Sequence, residues 1–286
     1  MYREILDTAV EAAHAGADVL RRWFRHDGLA AERKGLHDYV SRADRESEET
    51  ILGIIARRFP EHRILAEESG RSRGGGADFG WYVDPLDGTT NFLQGLPVFC
   101  LSIACRHRDE VVAGVVLDPL HEEIFTAARG AGAWWNGRPM RVSAREGLPG
   151  AFLATGYPWR ARAALEQYLG AFHDLFLEAK SIRRCGAAAL DLAYTAAGVY
   201  DGFFEYRLSP WDIAAGILLV EEAGGVVTDL DGGRGFFAGG NVVAGGPGIH
   251  PSLLAGIQRH ADEATLDALV PVDTPNLDLV GVDSDS

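Results

Sequence analysis

A nine-residue stretch of the chain combines two carboxylates with a proline, a glycine and two threonines. It spans Asp84 to Phe92 (DPLDGTTNF) and follows the apolar run WYV, so Asp84 is predicted to lie where a strand ends. The proline stiffens the turn that carries Asp84 and Asp87, and carboxylate oxygens are the ligands that Mg2+ prefers. The N–H groups and hydroxyls of Thr89 and Thr90 suit an anion where a short helix begins. The stretch therefore predicts a magnesium–phosphate site, whereas Asp-Gly-Thr alone is the usual mark of a capped turn.

Two further acidic segments stand at predicted element boundaries elsewhere in the chain. Glu67 and Glu68 follow an apolar run that predicts a strand, and Asp212 stands at the start of an apolar helix after Pro210. Taken alone, the glutamates are typical of a solvated loop, and Asp212 is typical of a favourable charge at a helix N-terminus. If the three segments meet, their carboxylates repel one another unless cations bind between them.

These segments, in this order and at these spacings, resemble the three signature blocks of the inositol monophosphatase family. The blocks are Ala66–Ser69 (AEES), Asp84–Phe92 and Pro210–Gly216 (PWDIAAG). Lys34, the run 38–44 (DYVSRAD) and the run 183–192 (RRCGAAALDL) match as well, so the resemblance extends from about residue 2 to residue 260. Ala187 departs from the pattern, because many bacterial members carry a hydroxyl residue there. That departure bears on the preference for a polyol and not on the phosphatase chemistry.

The resemblance implies a site for two Mg2+ ions, with room for a third, weaker ion near Glu67. Glu67, Asp84 and the backbone carbonyl of Leu86 are expected to hold the first ion. Asp84, Asp87 and Asp212 are expected to hold the second ion, with Asp84 bridging the two.

The same resemblance implies roles for the residues around the ions. Glu67 and Thr89 are expected to position the attacking water, with Asp44 hydrogen-bonded to Thr89. The N–H groups of Gly88 and Thr89 are expected to receive the phosphate. The full set of expected substrate contacts is Leu86, Asp87, Gly88, Thr89, Arg183, Gly186, Ala188, Glu205 and Asp212. Taken alone, Asp44 equally suits the first turn of a helix, where a negative charge is favourable.

The function implied is a Mg2+-dependent, lithium-sensitive phosphomonoesterase that hydrolyses inositol 1-phosphate or a related polyol or sugar phosphate. Alternatives within the superfamily are fructose-1,6-bisphosphatase, histidinol-phosphate phosphatase and 3′-phosphonucleotide phosphatase. The pair Arg183-Arg184 would suit a second phosphate, which makes the bisphosphatase the strongest of these. A regulatory binding protein on the same scaffold is the alternative from another class, although all the expected metal ligands are present. The resemblance also favours a homodimer.

Composition limits the other classes of function. The 286 residues include 27 Lys+Arg and 41 Asp+Glu, giving a net charge of −14, which argues against duplex nucleic acid and polybasic membrane binding. Seven of the acids fall in residues 262–286, which contain no Lys or Arg and are predicted to be a flexible appendage. Three cysteines form neither a disulfide framework nor a zinc pattern. With no apparent signal or membrane-spanning segment, the sequence predicts a cytoplasmic protein.

Periodicity predicts stacked layers of helix and sheet, of the α+β or α/β class. Residues 2–24 show helical spacing, a polar, Gly-interrupted link follows (HDGLAAERKGLHD), and a second helix is predicted from about Asp44 to Phe59. Strand-like runs then continue up to an Asn-Gly hairpin turn at 136–137. Strands and helices then alternate from about Phe152 to Arg259. The expected organisation is one phosphatase domain over 1–261, built from two packed halves (about 1–145 and 146–261), followed by the tail 262–286. The resemblance implies the same layered fold, that of inositol monophosphatase and fructose-1,6-bisphosphatase.

Overall fold

The computed structural model describes residues 2–29, 31–35, 38–72, 78–158 and 160–261, and of 31–35, 38–40 and 71–72 it describes the backbone alone. The helices in these ranges are α1 (Tyr2–Trp23), α2 (Arg42–Arg58), α3 (Thr89–Leu93), α4 (Leu165–Glu178), α5 (Ala188–Ala196), α6 (Pro210–Glu222), α7 (Phe236–Gly239) and α8 (His250–Gln258). The strands are β1 (Ala31–Gly35), β2 (Asp38–Ser41), β3 (Arg63–Ala66), β4 (Gly70–Ser72), β5 (Phe79–Asp87), β6 (Cys100–His107), β7 (Glu110–Asp118), β8 (Glu123–Ala128), β9 (Ala133–Trp135), β10 (Arg138–Pro139), β11 (Phe152–Thr155), β12 (Ser181–Arg183), β13 (Gly202–Glu205), β14 (Val226–Thr228) and β15 (Val242–Gly245). The side chain of Lys34 and the tail 262–286 lie outside the described residues.

Two sheets alternate with three layers of helix. The larger sheet has eight strands in the order β10-β9-β8-β7-β6-β5-β3-β4, and its pairs are antiparallel except for β3 with β5. The smaller sheet has five strands in the order β12-β11-β13-β15-β14, in which β11 runs parallel to both of its neighbours. The layered architecture predicted from the sequence is confirmed.

Helices α1 and α2 cover the outer face of the larger sheet. The predicted apolar stripe of α1 is buried, including Ile5, Ala9 and Ala12. The two helices approach so closely that a Cβ at Gly16 would lie 2.8 Å from the side chain of Ile51. This tight packing fixes α2, which carries Asp44, against the sheet.

Helix α6 lies between the two sheets and is buried from Pro210 through Val220. It contacts strands of both sheets and packs beside α5, where a Cβ at Gly216 would lie 2.5 Å from the Cβ of Leu192. Burial on all sides explains why its sequence is apolar around the whole helix rather than along one stripe. Asp212 therefore projects from a helix that is enclosed between the two sheets.

Helices α4 and α8 form the outer layer on the smaller sheet. Tyr168, Ala171 and Leu175 of α4 are buried against this sheet and α8. The opposite face of α4 leaves Leu169 and Phe176 48% and 59% exposed. None of the described helices combines the length and the apolar character needed to cross a membrane.

The structure differs from the sequence-based expectation at two places before the site. A polar link was expected after α1, and the chain instead forms the antiparallel pair β1–β2. Neither strand shows the alternation of apolar and polar residues that indicates a β-strand, so periodicity does not predict this pair. Helix α2 begins at Arg42 rather than near Asp44, because Ser41 is its N-cap. The Asn136-Gly137 turn between β9 and β10 has both residues at positive φ, as predicted.

Candidate active site

The parallel pairing of β3 and β5 brings the first two acids together. Ala66 is the register partner of Val83, and the Glu67 N–H donates to the Val83 carbonyl at 3.1 Å. Glu67 therefore follows β3 directly beside Asp84, and the two side chains interact. Asp84 is 1% exposed.

A bulge in β5 separates Asp84 from Asp87 and turns both acids to the same site. On β6, Ser102 pairs with Asp84 and Cys100 pairs with Asp87, so β5 holds one extra residue across this interval. Proline, which cannot donate to a ladder, stands inside the bulge at position 85. The Leu86 N–H donates to Asp84 Oδ1 at 2.9 Å and fixes the carboxylate.

The turn after β5 requires a glycine. Gly88 has φ +94°, in the left-handed region, and a Cβ there would lie 3.1 Å from the Val98 carbonyl and 3.3 Å from the Gly186 carbonyl. Asn91 holds the same segments together, donating from Nδ2 to the carbonyls of Val98 and Cys185 at 2.8 and 2.9 Å. Asn91 thus links this turn by hydrogen bonds to the segment that precedes α5.

Thr89, the first residue of α3, is held by Asp44. Its Oγ1 lies 3.1 Å from Asp44 Oδ1 and 3.0 Å from the Leu86 carbonyl oxygen. The other oxygen of Asp44 accepts the Ser41 N–H at 2.8 Å in the capping box of α2. The two roles that the sequence left open for Asp44 therefore coexist, one on each oxygen. Burial raises the pKa of Asp44 above its ordinary value.

Asp212 reaches the site from the first turn of α6. Its Oδ2 accepts the Ser209 N–H at 2.8 Å and Arg160 Nη1 at 3.0 Å. Asp87 on β5 accepts the Ala189 N–H of α5 at 2.7 Å. Elements from both sheets and the central helix layer thus meet at this point.

Burial and mutual repulsion raise the pKa values of these carboxylates. The pKa of Asp84 lies well above its ordinary value, first because the residue is buried and then because Glu67, Asp87 and Asp212 repel its charge. Burial and the charge of Asp212 raise the pKa of Asp87 to about 7. Such a cluster takes up either protons or cations.

The acids line one open cleft of about 840 Å3. Glu205, at the end of β13, lines it too, and burial together with Asp87 and Asp212 raises the pKa of Glu205 to about 8. Of the expected site residues, the cleft is lined by Glu67, Asp84, Leu86, Asp87, Gly88, Thr89, Gly186, Ala188, Glu205 and Asp212. Asp44 is not among the lining residues, but it accepts a hydrogen bond from Thr89, which is.

Arg183 is not among the residues that line this cleft. Its guanidinium bonds Ser181 and the Ile182 carbonyl and lies over the ring of Phe152, 5.0 Å from the ring centre. Arg184 lines the cleft instead, with its guanidinium 5.0 Å from the ring centre of Tyr157. Arg183 is the last residue of β12 and Arg184 is the first residue after it, and of these two neighbours Arg184 is the one that lines the cleft.

Sequence reasoning missed three residues that shape the site. The buried Glu48 of α2 accepts the Glu68 and Ser69 N–H groups at 2.8 and 2.9 Å, which fixes the turn that carries Glu67. Its available signal was a carboxylate on the buried face of an amphipathic helix. Arg160 and Asn91 gave no comparable signal, because Arg160 contacts Asp212 and Asn91 contacts Cys185, which are 52 and 94 residues away in the chain.

The donor set fits a hard divalent cation in chemical type. The clustered side chains offer carboxylate oxygens, and burial and the neighbouring Asp87 raise the pKa of Cys100, which keeps that thiol protonated. Among the described residues, no three His, Cys, Asp or Glu side chains are already arranged to hold a metal ion. Asp87 and Asp212 each direct one oxygen to a protein donor. The cluster therefore matches Mg2+ by charge and ligand type rather than by a preassembled geometry.

Comparison with known proteins covers most of the chain. The model of the inositol monophosphatase family matches residues 1–265. The chain belongs to the inositol monophosphatase family. This membership supports a phosphatase, and the site described above lies entirely within the matched residues.

Curated members of the inositol monophosphatase family align over nearly their full length. Nus factor SuhB of Pseudomonas aeruginosa is 47% identical over 261 residues, covering 90% of this chain and 96% of that protein. Inositol-1-monophosphatase of Mesorhizobium japonicum is 43% identical over 256 residues, covering 89% and 96%.

Solved structures of the inositol monophosphatase family share the fold. The extragenic suppressor protein suhB of Bartonella henselae superposes with a TM-score of 0.86 at 43% identity, covering 90% of this chain and 99% of that one. Inositol monophosphatase from Anabaena superposes with a TM-score of 0.81 at 38% identity, covering 90% and 96%.

Proposed function

We propose that this protein is a Mg2+-dependent phosphomonoesterase that hydrolyses inositol 1-phosphate or a related polyol phosphate. The observation that carries the proposal is the convergence of Glu67, Asp84, Asp87 and Asp212 on one cleft beside the Gly88-Thr89 turn. Phosphate monoesters are anionic and resist attack by water, so a cluster that attracts cations next to backbone N–H donors suits their hydrolysis.

Two groups of oxygen donors would hold the ions. Glu67, Asp84 and the Leu86 carbonyl would hold one Mg2+, and Asp84, Asp87 and Asp212 would hold the other. Bound Mg2+ supplies positive charge that activates water and stabilises the departing alkoxide. Asp84, the most buried of the acids, would serve both ions, and a third, weaker ion would lie near Glu67.

The remaining residues would orient the reactants. Asp44 accepts the Thr89 hydroxyl hydrogen, which fixes Oγ1 so that it and Glu67 can direct the attacking water. The N–H groups of Gly88 and Thr89 would bind the phosphate oxygens. Glu205 and the backbone from Gly186 to Ala188, in the same cleft, would bind the hydroxyls of the polyol.

Phosphate release from a panel of esters, with Mg2+ and with EDTA, tests the proposal. We expect inositol 1-phosphate to be hydrolysed in the presence of Mg2+ and left intact in EDTA. Lithium should inhibit the hydrolysis. Asp87→Asn should lose this activity while keeping the fold, because the charge of a cation ligand is removed. Turnover that persists in EDTA, or indifference to every inositol phosphate, would contradict the assignment.

A bisphosphate substrate is the second candidate. Three arginines line the cleft with the acids, namely Arg160, Arg162 and Arg184. Arg184 is steadied by Tyr157 and lies against the backbone of Gly186, where a Cβ would meet its Nη1 at 2.7 Å. A preference for fructose 1,6-bisphosphate that Arg184→Gln removes would favour this candidate, and Arg183→Gln, which alters an arginine outside the cleft lining, is the control.

A regulatory role is the candidate from another class. Several relatives at 44–47% identity carry the name Nus factor SuhB. A role as a binding partner and the hydrolytic role are distinguished by measuring partner binding and phosphate release on the same variant of the cleft. If Asp87→Asn left phosphate release intact while a partner interaction failed, the regulatory role would rank first.

We also propose a homodimer whose interface includes the outer face of α4. Leu169, Phe176 and Leu177 on this face are 48–69% exposed, more apolar surface than a helix face usually leaves to solvent. Leu169→Glu with Phe176→Glu should convert a dimer into a monomer in light scattering. Val199→Glu, at 43% exposure elsewhere, is the control and should not.

A further inference from the structure

Arg160 places a fixed positive charge directly on Asp212. Its Nη1 lies 3.0 Å from Asp212 Oδ2 and 3.3 Å from the Ser209 hydroxyl, and its side chain is 29% exposed where it lines the cleft. Asp212 is 9% exposed at its side chain. The contact joins the connection after β11 to the first turn of α6, across 52 residues of chain. It is therefore a tertiary ion pair in a partly enclosed setting.

Both members of the pair affect other acids of the cleft. The negative charge of Asp212 raises the pKa values of Asp84, Asp87 and Glu205, so Asp212 interacts electrostatically with all three. Arg160 lowers the pKa of Glu205 by its own charge. The guanidinium thus supplies part of the positive charge that the cluster requires, at the carboxylate proposed to bind the second ion.

A cation that binds Asp212 meets two obstacles created by this arrangement. The Oδ2 atom already accepts two hydrogen bonds, which weakens it as a metal ligand. The positive guanidinium also repels an approaching divalent ion in a site where solvent screens only part of the charge. Both effects lower the affinity of the site without removing any ligand.

We infer that Arg160 tunes cation binding at this site by competing with the divalent ion for Asp212. The inference rests on the proposed Mg2+ site and adds to it a residue that keeps the second ion weakly held and exchangeable. Arg160 is in this sense a positioning residue, since it acts through Asp212 and not on the ester. Without a divalent ion, it substitutes for part of the missing charge and stabilises the buried carboxylate.

Titration of the full chain with Mn2+, monitored by electron paramagnetic resonance, measures the cation affinity of the site without substrate. We expect Arg160→Gln to bind Mn2+ about tenfold more tightly than the natural chain, because one adjacent positive charge and one hydrogen bond to Asp212 are gone. Arg160→Lys, which keeps the charge, should stay closer to the natural affinity. Arg162→Gln removes a cleft arginine other than the one that pairs with Asp212 and should change the affinity less than twofold.

A thermal denaturation series provides a second measurement with the same variants. Arg160→Gln should melt at a lower temperature in EDTA and should gain more from added Mg2+ than the natural chain does. Unchanged or weaker Mn2+ binding by a folded Arg160→Gln overturns this inference alone. Absence of divalent binding by the natural chain overturns the proposed function as well, which distinguishes the two failures.

Discussion

At the scale of single residues, the site depends on carboxylates that the fold holds against their own repulsion. Asp84 is the clearest case, because it is buried and faces three other acids. An isolated buried charge of this kind is costly unless it is protonated or paired. The energetic strain and the chemistry of the site therefore have the same origin.

Asp84→Asn tests the effect of this charge on turnover separately from its effect on stability. We expect phosphate release to fall by about a thousandfold or more, since an amide cannot replace the negative charge that the two proposed ions would share. Stability in EDTA should be unchanged or higher, because the amide removes repulsion and its oxygen can still accept the Leu86 N–H. Steady-state turnover and urea denaturation measure the two effects. A variant that unfolds in EDTA would show that the charge is needed for the fold itself.

Glu205 gives the protein a pH dependence of predictable sign. Its pKa is about 8 in the folded chain, against an ordinary value of 4.5, so the folded state binds a proton that the unfolded state has released between these values. Stability without divalent ions should therefore fall as pH rises from about 4.5 to 8. Glu205→Gln should flatten that slope in urea melts compared at pH 6 and 8.5. An equally steep slope in the variant would assign the dependence to other acids.

At the scale of elements, the passage from β5 to α3 does most of the positioning. A bulge, a proline and a left-handed glycine follow one another within five residues, and each sets the direction of a functional group. Substitution at the glycine tests how tightly this passage is defined.

Gly88→Ala should lower the free energy of unfolding by about 2–4 kcal/mol, through left-handed strain and contact with two carbonyl groups. The matched control is Gly130→Ala, which shares the positive φ (+75°) but has open space around it. It should cost only about 1 kcal/mol. The difference between the two, measured by urea denaturation, isolates the close approach at Gly88, and equal losses would refute it.

The sequence predicted the elements and the acids better than it predicted their partners. The apolar stripe of α1, the Asn136-Gly137 turn and the strand that leads into Asp84 followed from periodicity and turn chemistry, which are local. The strand end expected at Asp84 was wrong, because β5 continues through a bulge to Asp87, and the bulge depends on pairing with β6. The roles of Arg160 and Glu48 depend on contacts between elements that are distant in the chain, which no local pattern encodes. The choice between Arg183 and Arg184 likewise depends on the exact end of a three-residue strand.

At the scale of the whole molecule, the described residues that line the cleft all precede the acidic tail 262–286 in the sequence, the last of them being Asp212. The family match ends at residue 265. A chain that ends at Ala261 should therefore retain its turnover within about twofold and its melting temperature within a few degrees. Enzyme assays and calorimetry on the shortened chain check this, and a large loss of turnover would assign the tail to the site.

The enclosure of α6 separates the parts of the molecule that can diversify from those that cannot. Asp212 is fixed by a helix packed on every side, so any shift of its position would disturb both sheets at once. Arg184, by contrast, lies on the short connection between β12 and α5, where it lines the cleft. Exchange of this connection between relatives should change which ester is chosen while the bond-breaking machinery is inherited intact, so one scaffold can give rise to enzymes for several metabolites.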